Sequence, residues 1–190
     1  MESYLQQGLT PIHPLSWDQA FAFWRESEGS NPEWLAVANA RGYATWEEWR
    51  RAYIAPLKLD QRVWGLYRVD DPIRTVPQFR GGPFQGWVER FYHGRSRPTP
   101  TFSRIAEELF AQGNGRALSL KDAFPRRTTV LGVMTNDGVV IVEGMHRCSA
   151  IASAAADGTP IKTDFSIALG SKLPGDLDVI PKIYKHAPRD

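Results

Sequence analysis

The residues best suited to chemistry stand together as Glu143-Gly144-Met145-His146-Arg147, between an apolar run and a stretch of small residues. A strand that ends in glycine and turns straight into a helix leaves the first backbone N–H groups of that helix without carbonyl partners. Those donors, and the partial positive charge at a helix start, attract anions, phosphate above all. On this reading Gly144 lets a phosphate approach the backbone, Met145 adds its amide, and His146 and Arg147 add side-chain donors. The simplest alternative is an ordinary helix start, with Arg147 paired to Glu143 or to an aspartate. Carboxylates able to hold Mg²⁺ or orient a nucleophile beside phosphates would be Glu143 and the pair Asp70 and Asp71. The pair requires residues 62–69 to lie beside 139–142, and Asp70-Asp71-Pro72 reads more readily as a plain turn.

The elements that would position this turn are legible around it. Thr129 to Thr135 is β-branched and apolar, Asn136-Asp137-Gly138 is a hairpin signal, and Val139 to Val142 is a second strand. Its unbroken apolar run predicts a central strand, buried on both faces. Ser149, Ala150, Ala152 and Ser153 to Ala156 then form a helix able to sit close on a sheet, ending at Asp157-Gly158. Residues 62–69 and 161–169 predict further strands, and Phe102, Ile105, Ala106, Leu109 and Phe110 an amphipathic helix ending at Gly113. Another helix is expected around Phe84 to Tyr92, before the basic loop Gly94 to Pro98. Arg126 to Thr129 enters the hairpin close enough to reach the same turn.

Seven tryptophans are present, five of them within the first 49 residues, which suggests a separate aromatic packing unit. Three short helices are predicted there. Ser16 and Gln19 form a capping box, Asn31 and Pro32 start a second helix that Gly42 closes, and Thr45 and Glu48 start a third that stops before Pro56. The expected organisation is a helical segment at 1–58, a mixed-sheet domain at 59–170 and a tail at 171–190. The fold class is α+β.

The motif Gly144-x-His146-Arg147-x-x-Ala150, directly after a strand–turn–strand, resembles the ParB/sulfiredoxin superfamily of chromosome-partition proteins, sulfiredoxins and a free-serine kinase. The resemblance implies a mixed β-sheet with packed helices, nucleotide phosphates held by Gly144, His146 and Arg147, and a packing role for Ala150; Met145, within the same turn, is counted with the cofactor-binding residues. It implies ATP or another nucleoside triphosphate as cofactor, with Mg²⁺ as companion, and an ATPase or small-molecule kinase acting on a phosphate acceptor. Sulfiredoxins carry a cysteine where this chain has Met145, which disfavours that reductase chemistry. Partition proteins have an arginine at the place of His146 and continue into a DNA-binding domain. Only about 40 residues follow Arg147 here. A non-catalytic nucleotide-, protein- or nucleic-acid-binding module is the alternative, and a scaffold without ligand the third.

Composition narrows the partners. A net charge of +2 gives little pull toward nucleic acid or an anionic membrane. No apolar run reaches membrane-spanning length and no secretory leader opens the chain, so a cytoplasmic protein is expected. One cysteine, Cys148, excludes an intrachain disulfide framework and reads as a small buried residue. His13, His93 and His186 lack metal-ligand spacing, so no metal site is expected from them. Trp64, Trp87 and Phe91 could stack on a base or simply fill a core.

Overall fold

Helix starts are decided by local chemistry. In α1 (Trp17–Glu28) Ser16 caps the Gln19 amide while the Gln19 side chain takes the Ser16 N–H. In α2 (Pro32–Ala40) Asn31 caps with proline in the first turn. In α3 (Trp46–Ile54) Thr45 caps the Glu48 amide. Two 3-10 turns, Ala55–Leu57 and Leu59–Gln61, carry the chain into the sheet. This computed structural model describes residues 8–94, 98–112 and 115–175.

Among these residues the protein is α+β, with eight α-helices and one five-stranded mixed sheet. The strands are β1 (Leu9–Leu15), β2 (Trp64–Val69), β3 (Arg127–Thr135), β4 (Gly138–Glu143) and β5 (Asp164–Gly170). Their order is β1-β2-β5-β3-β4; β3 and β5 run parallel, and every other neighbouring pair is antiparallel. Strand β1 was hidden in the sequence because Pro11 and Pro14 weaken a strand pattern. At an edge a proline sacrifices no ladder bond, and β1 occupies an edge, with a register shift between Pro11 and His13.

The apolar run of β4 misleads about its place. It is the last strand of the sheet and not a central one. Its outer edge is nevertheless covered, since Arg80 N–H donates to Val139 O and Ile141 N–H donates to Arg80 O. A single non-strand residue thus supplies, at the middle of β4, two of the hydrogen bonds that a sixth strand would make. Burial on all sides follows, and burial is what the apolar run records.

Behind β4, Gly144 turns the chain into α8 (Met145–Asp157), which ends on left-handed Gly158. Cys148, Ser149, Ala150, Ile151, Ala152, Ser153 and Ala154 of α8 are all buried. The remaining helices are the short α4 (Pro72–Thr75), α5 (Gln85–Phe91), α6 (Phe102–Gln112) and α7 (Gly115–Asp122). Expectations for Arg95 to Arg97, for Gly113, for His186 and for residues 176–190 lie outside the described residues. The first 58 residues supply a strand of the sheet, and Phe21, Trp24, Trp46 and Trp49 belong to the same hydrophobic cluster as Ile141, Val142 and Phe84. No helix among the described residues is long and apolar enough to cross a membrane.

Candidate functional site

The start of α8 opens on a cavity of about 490 Å³. One side is the turn itself, Val142 to Arg147, and the other is helical, from Trp24, Ser27, Glu28, Trp34, Arg41, Trp49, Arg50 and Tyr53. Phe84, Gly86 and Trp87, with Val37 and Leu120, complete the wall. Three of the tryptophans of the N-terminal helices, Trp24, Trp34 and Trp49, therefore face the turn that the sequence singles out. Their own spacing speaks only of packing, so nothing local announced this.

Gly144 has φ +100°, a left-handed backbone that L side chains rarely adopt. A Cβ there would overlap the Val130 side chain. The glycine is therefore required by its backbone angle and by close packing on β3, which corrects the expectation that its missing Cβ makes room for phosphate. Met145 is buried, and its sulfur accepts the Gly82 N–H at 3.2 Å. No side chain caps the first turn of α8. The His146 ring lies edge-on to Trp87, with ring centres 5.1 Å apart.

Arg147 differs most from expectation. Its guanidinium is bound by the protein's own groups: Nη2 donates to both oxygens of Glu143 at 2.5 Å, and Nη1 donates to Thr128 Oγ1 at 2.5 Å and Thr129 O at 3.1 Å. It thus fastens the end of β4 to the start of β3, and a two-pronged phosphate clamp from this side chain would have to break that network. The plainer reading, Arg147 paired with Glu143, is the one realised. Thr128 and Thr129 do reach the turn, and they reach it through Arg147.

Glu143 is buried and also accepts a hydrogen bond from Ser27 Oγ at 3.2 Å. Burial pushes its carboxyl pKa above the usual range, Arg147 pulls it down, and the nearby Glu28 carboxylate pushes it up. Glu28 is in turn held by Arg50, Nη2 to Oε2 at 2.5 Å. Two acid–guanidinium pairs thus sit side by side at the cavity. Arg50 is buried, so its pKa is lowered, while Glu28 opposes the shift. Burial raises the Tyr53 hydroxyl to about 12 against the pull of Arg50 and Arg41.

Asp70 and Asp71 are not part of this site. Strands β5 and β3 separate β2 from β4, so residues 62–69 do not lie beside 139–142. Asp70 is exposed and holds Thr10 and Arg68, with its pKa lowered by those hydrogen bonds. Asp71 caps α4 by accepting the Arg74 N–H, and it lines a different groove with Leu9, Phe79 and Val139. The carboxylates at the cavity are Glu143 and Glu28; Glu28 escaped notice because it ends a helix 115 positions away along the chain. Among the described residues no group of three or more acidic, histidine or cysteine side chains is placed to hold a metal.

Cys148 is fully buried one turn inside α8, and burial raises its thiol pKa far above the usual value. Trp87 faces the cavity. Trp64 does not: it lies in the core and donates its indole N–H to Leu59 O.

Compared with protein-family models, curated proteins and solved structures, the chain matches none of them.

Proposed function

We propose that the cavity binds a nucleotide, with its phosphates at the first turn of α8 and its base among the aromatic rings opposite. The observation that carries this reading is the shared cavity: one space of about 490 Å³ is bordered by a helix start and by Trp34, Trp49, Tyr53 and Trp87. A helix start favours oxyanions, and flat aromatic faces favour a base. The hairpin of β3 and β4 feeding Gly-x-His-Arg into a small-residue helix supports the ParB/sulfiredoxin-type assignment. Because Arg147 is committed to Glu143, the phosphate contacts fall to the α8 backbone and to His146.

ATP with Mg²⁺ is compatible with the donor set only in part. Magnesium is commonly held by one or two carboxylates together with phosphate oxygens, and Glu143 and Glu28 are two such carboxylates. Each is engaged by an arginine that the ion would have to displace. That favours binding without turnover over an ATPase or a small-molecule kinase.

A thermal-shift panel of ATP, CTP and GTP, each with Mg²⁺, tests the reading. A ligand selective for the native state at a hundred times its Kd adds about 2.7 kcal/mol, several degrees of Tm for a chain of this size. At least one nucleotide should raise Tm, and His146→Ala should reduce the rise. An unchanged Tm with all three rejects the proposal.

A further inference from the structure

The helical wall of the cavity has a chemistry of its own. Arg50 is 7% exposed and, among the described residues, makes one hydrogen bond, to Glu28, although a guanidinium carries five N–H donors. Its Nε is buried with no partner, and so are the indole N–H groups of Trp24 and Trp49. All three residues border the cavity, and all three unsatisfied atoms are donors. An unsatisfied buried donor carries the full cost of its lost hydration, and for a charged group that cost is largest.

The aromatic rings answer part of this. The Arg50 guanidinium lies 4.1 Å from the centre of the Trp49 ring and 4.9 Å from that of Trp34, so cation–π attraction offsets some desolvation. Trp24 and Trp46 meet edge-on, with centres 6.0 Å apart, an arrangement that can put an indole edge against a ring face. Neither contact supplies an acceptor to the guanidinium edge. The Arg41 guanidinium stands 5.2 Å from the Trp49 ring centre and also borders the cavity. Two cations thus gather around Trp49, with Glu28 paired to Arg50 and Glu143 to Arg147.

We propose that Arg41, Arg50 and the indole N–H groups of Trp24 and Trp49 form an oxyanion subsite facing the α8 turn across the cavity. It takes a phosphate or carboxylate group, whose oxygens accept from these donors once the wall side chains shift to expose them, since solvent reaches none of the three atoms. The subsite does not depend on a nucleotide at the turn.

The test follows the indole N–H signals of Trp24 and Trp49 and the Nε–H signal of Arg50 in ¹⁵N-labelled protein. Inorganic phosphate is titrated in one series and acetate in another; Trp24→Phe and Trp49→Phe assist assignment, and triple-resonance spectra assign the wild type should either variant misfold. Saturable shifts of these signals are expected, with phosphate affinity about tenfold weaker in Arg41→Ala. Response to both anions marks a general oxyanion site, and response to phosphate alone marks a phosphate site. If none of the three signals responds to either anion, the subsite is overturned. Movement of the Met145 and His146 backbone amides by phosphate while the three signals stay still also overturns it, and leaves the turn reading intact.

Discussion

Replacing Arg147 by methionine removes the guanidinium and keeps most of its aliphatic stem. Glu143, 7% exposed, then loses the guanidinium hydrogen-bonded to it, while Thr128 Oγ1 and Thr129 O lose a donor. Breaking a buried ion pair by removing one partner costs about 3–5 kcal/mol. Protonation of Glu143 limits that loss, at about 1.4 kcal/mol for each pH unit between its pKa and the working pH. Glu143 is already raised by burial, so the variant raises it further. Between its unfolded and folded pKa values the folded state then holds the extra proton. Stability therefore falls as pH rises through that window, more steeply than in wild type. Urea melts across about pH 5 to 8 should show the steeper slope, and Glu143→Gln added to Arg147→Met should recover at least about 2 kcal/mol. A single-variant loss under about 1 kcal/mol, or losses that simply add in the double variant, would refute the role of this pair as the fastening between β4 and β3.

The other expectations are local. Gly144→Ala must adopt a left-handed backbone and displace Val130, so a loss of about 2 kcal/mol or more is expected in the same urea melts. Cys148 should react with a thiol reagent only as fast as the protein unfolds, because the thiol is buried and its pKa is raised. Rapid stoichiometric labelling under native conditions would contradict this. Hydrogen bonds from Lys121 and Thr159 hold the Asp157 carboxyl at about 2, below its ordinary 3.8. Its contribution is therefore present above about pH 4 and lost as pH falls toward about 2, and Asp157→Asn should flatten the acid limb of the stability profile.

Where a feature depended on neighbours in sequence, it was legible beforehand. The Ser16, Asn31 and Thr45 caps, the Asn136-Asp137-Gly138 hairpin and the Gly158 helix end all follow from residues within a few positions. Features set by distant partners were not. Strand β1 is disguised by prolines that only an edge permits, and β4 reads as central because Arg80 pairs with its free edge. In the site, Glu143 and the Gly144–Arg147 turn were visible as a cluster. Their pairing was less so: the same charge that suggests a phosphate clamp in Arg147 makes it a partner for Glu143 four residues earlier. Arg50 and Glu28 belong to helices that read as scaffold and Arg41 follows directly on another, and only the packing of those helices against the turn brings them to the cavity.

Gly86 borders the cavity, and a side chain at its Cβ would meet open space. Calorimetric titration of wild type and Gly86→Phe with ATP, CTP and GTP in the presence of Mg²⁺ is the most direct test, because this change adds bulk at the border of the cavity where a Cβ meets no neighbour. Wild type should bind at least one nucleotide saturably at a single site, and Gly86→Phe should fold normally and lose that binding. Absence of saturable heat in wild type for all three, or equal affinity in the two proteins, would contradict nucleotide binding in this cavity.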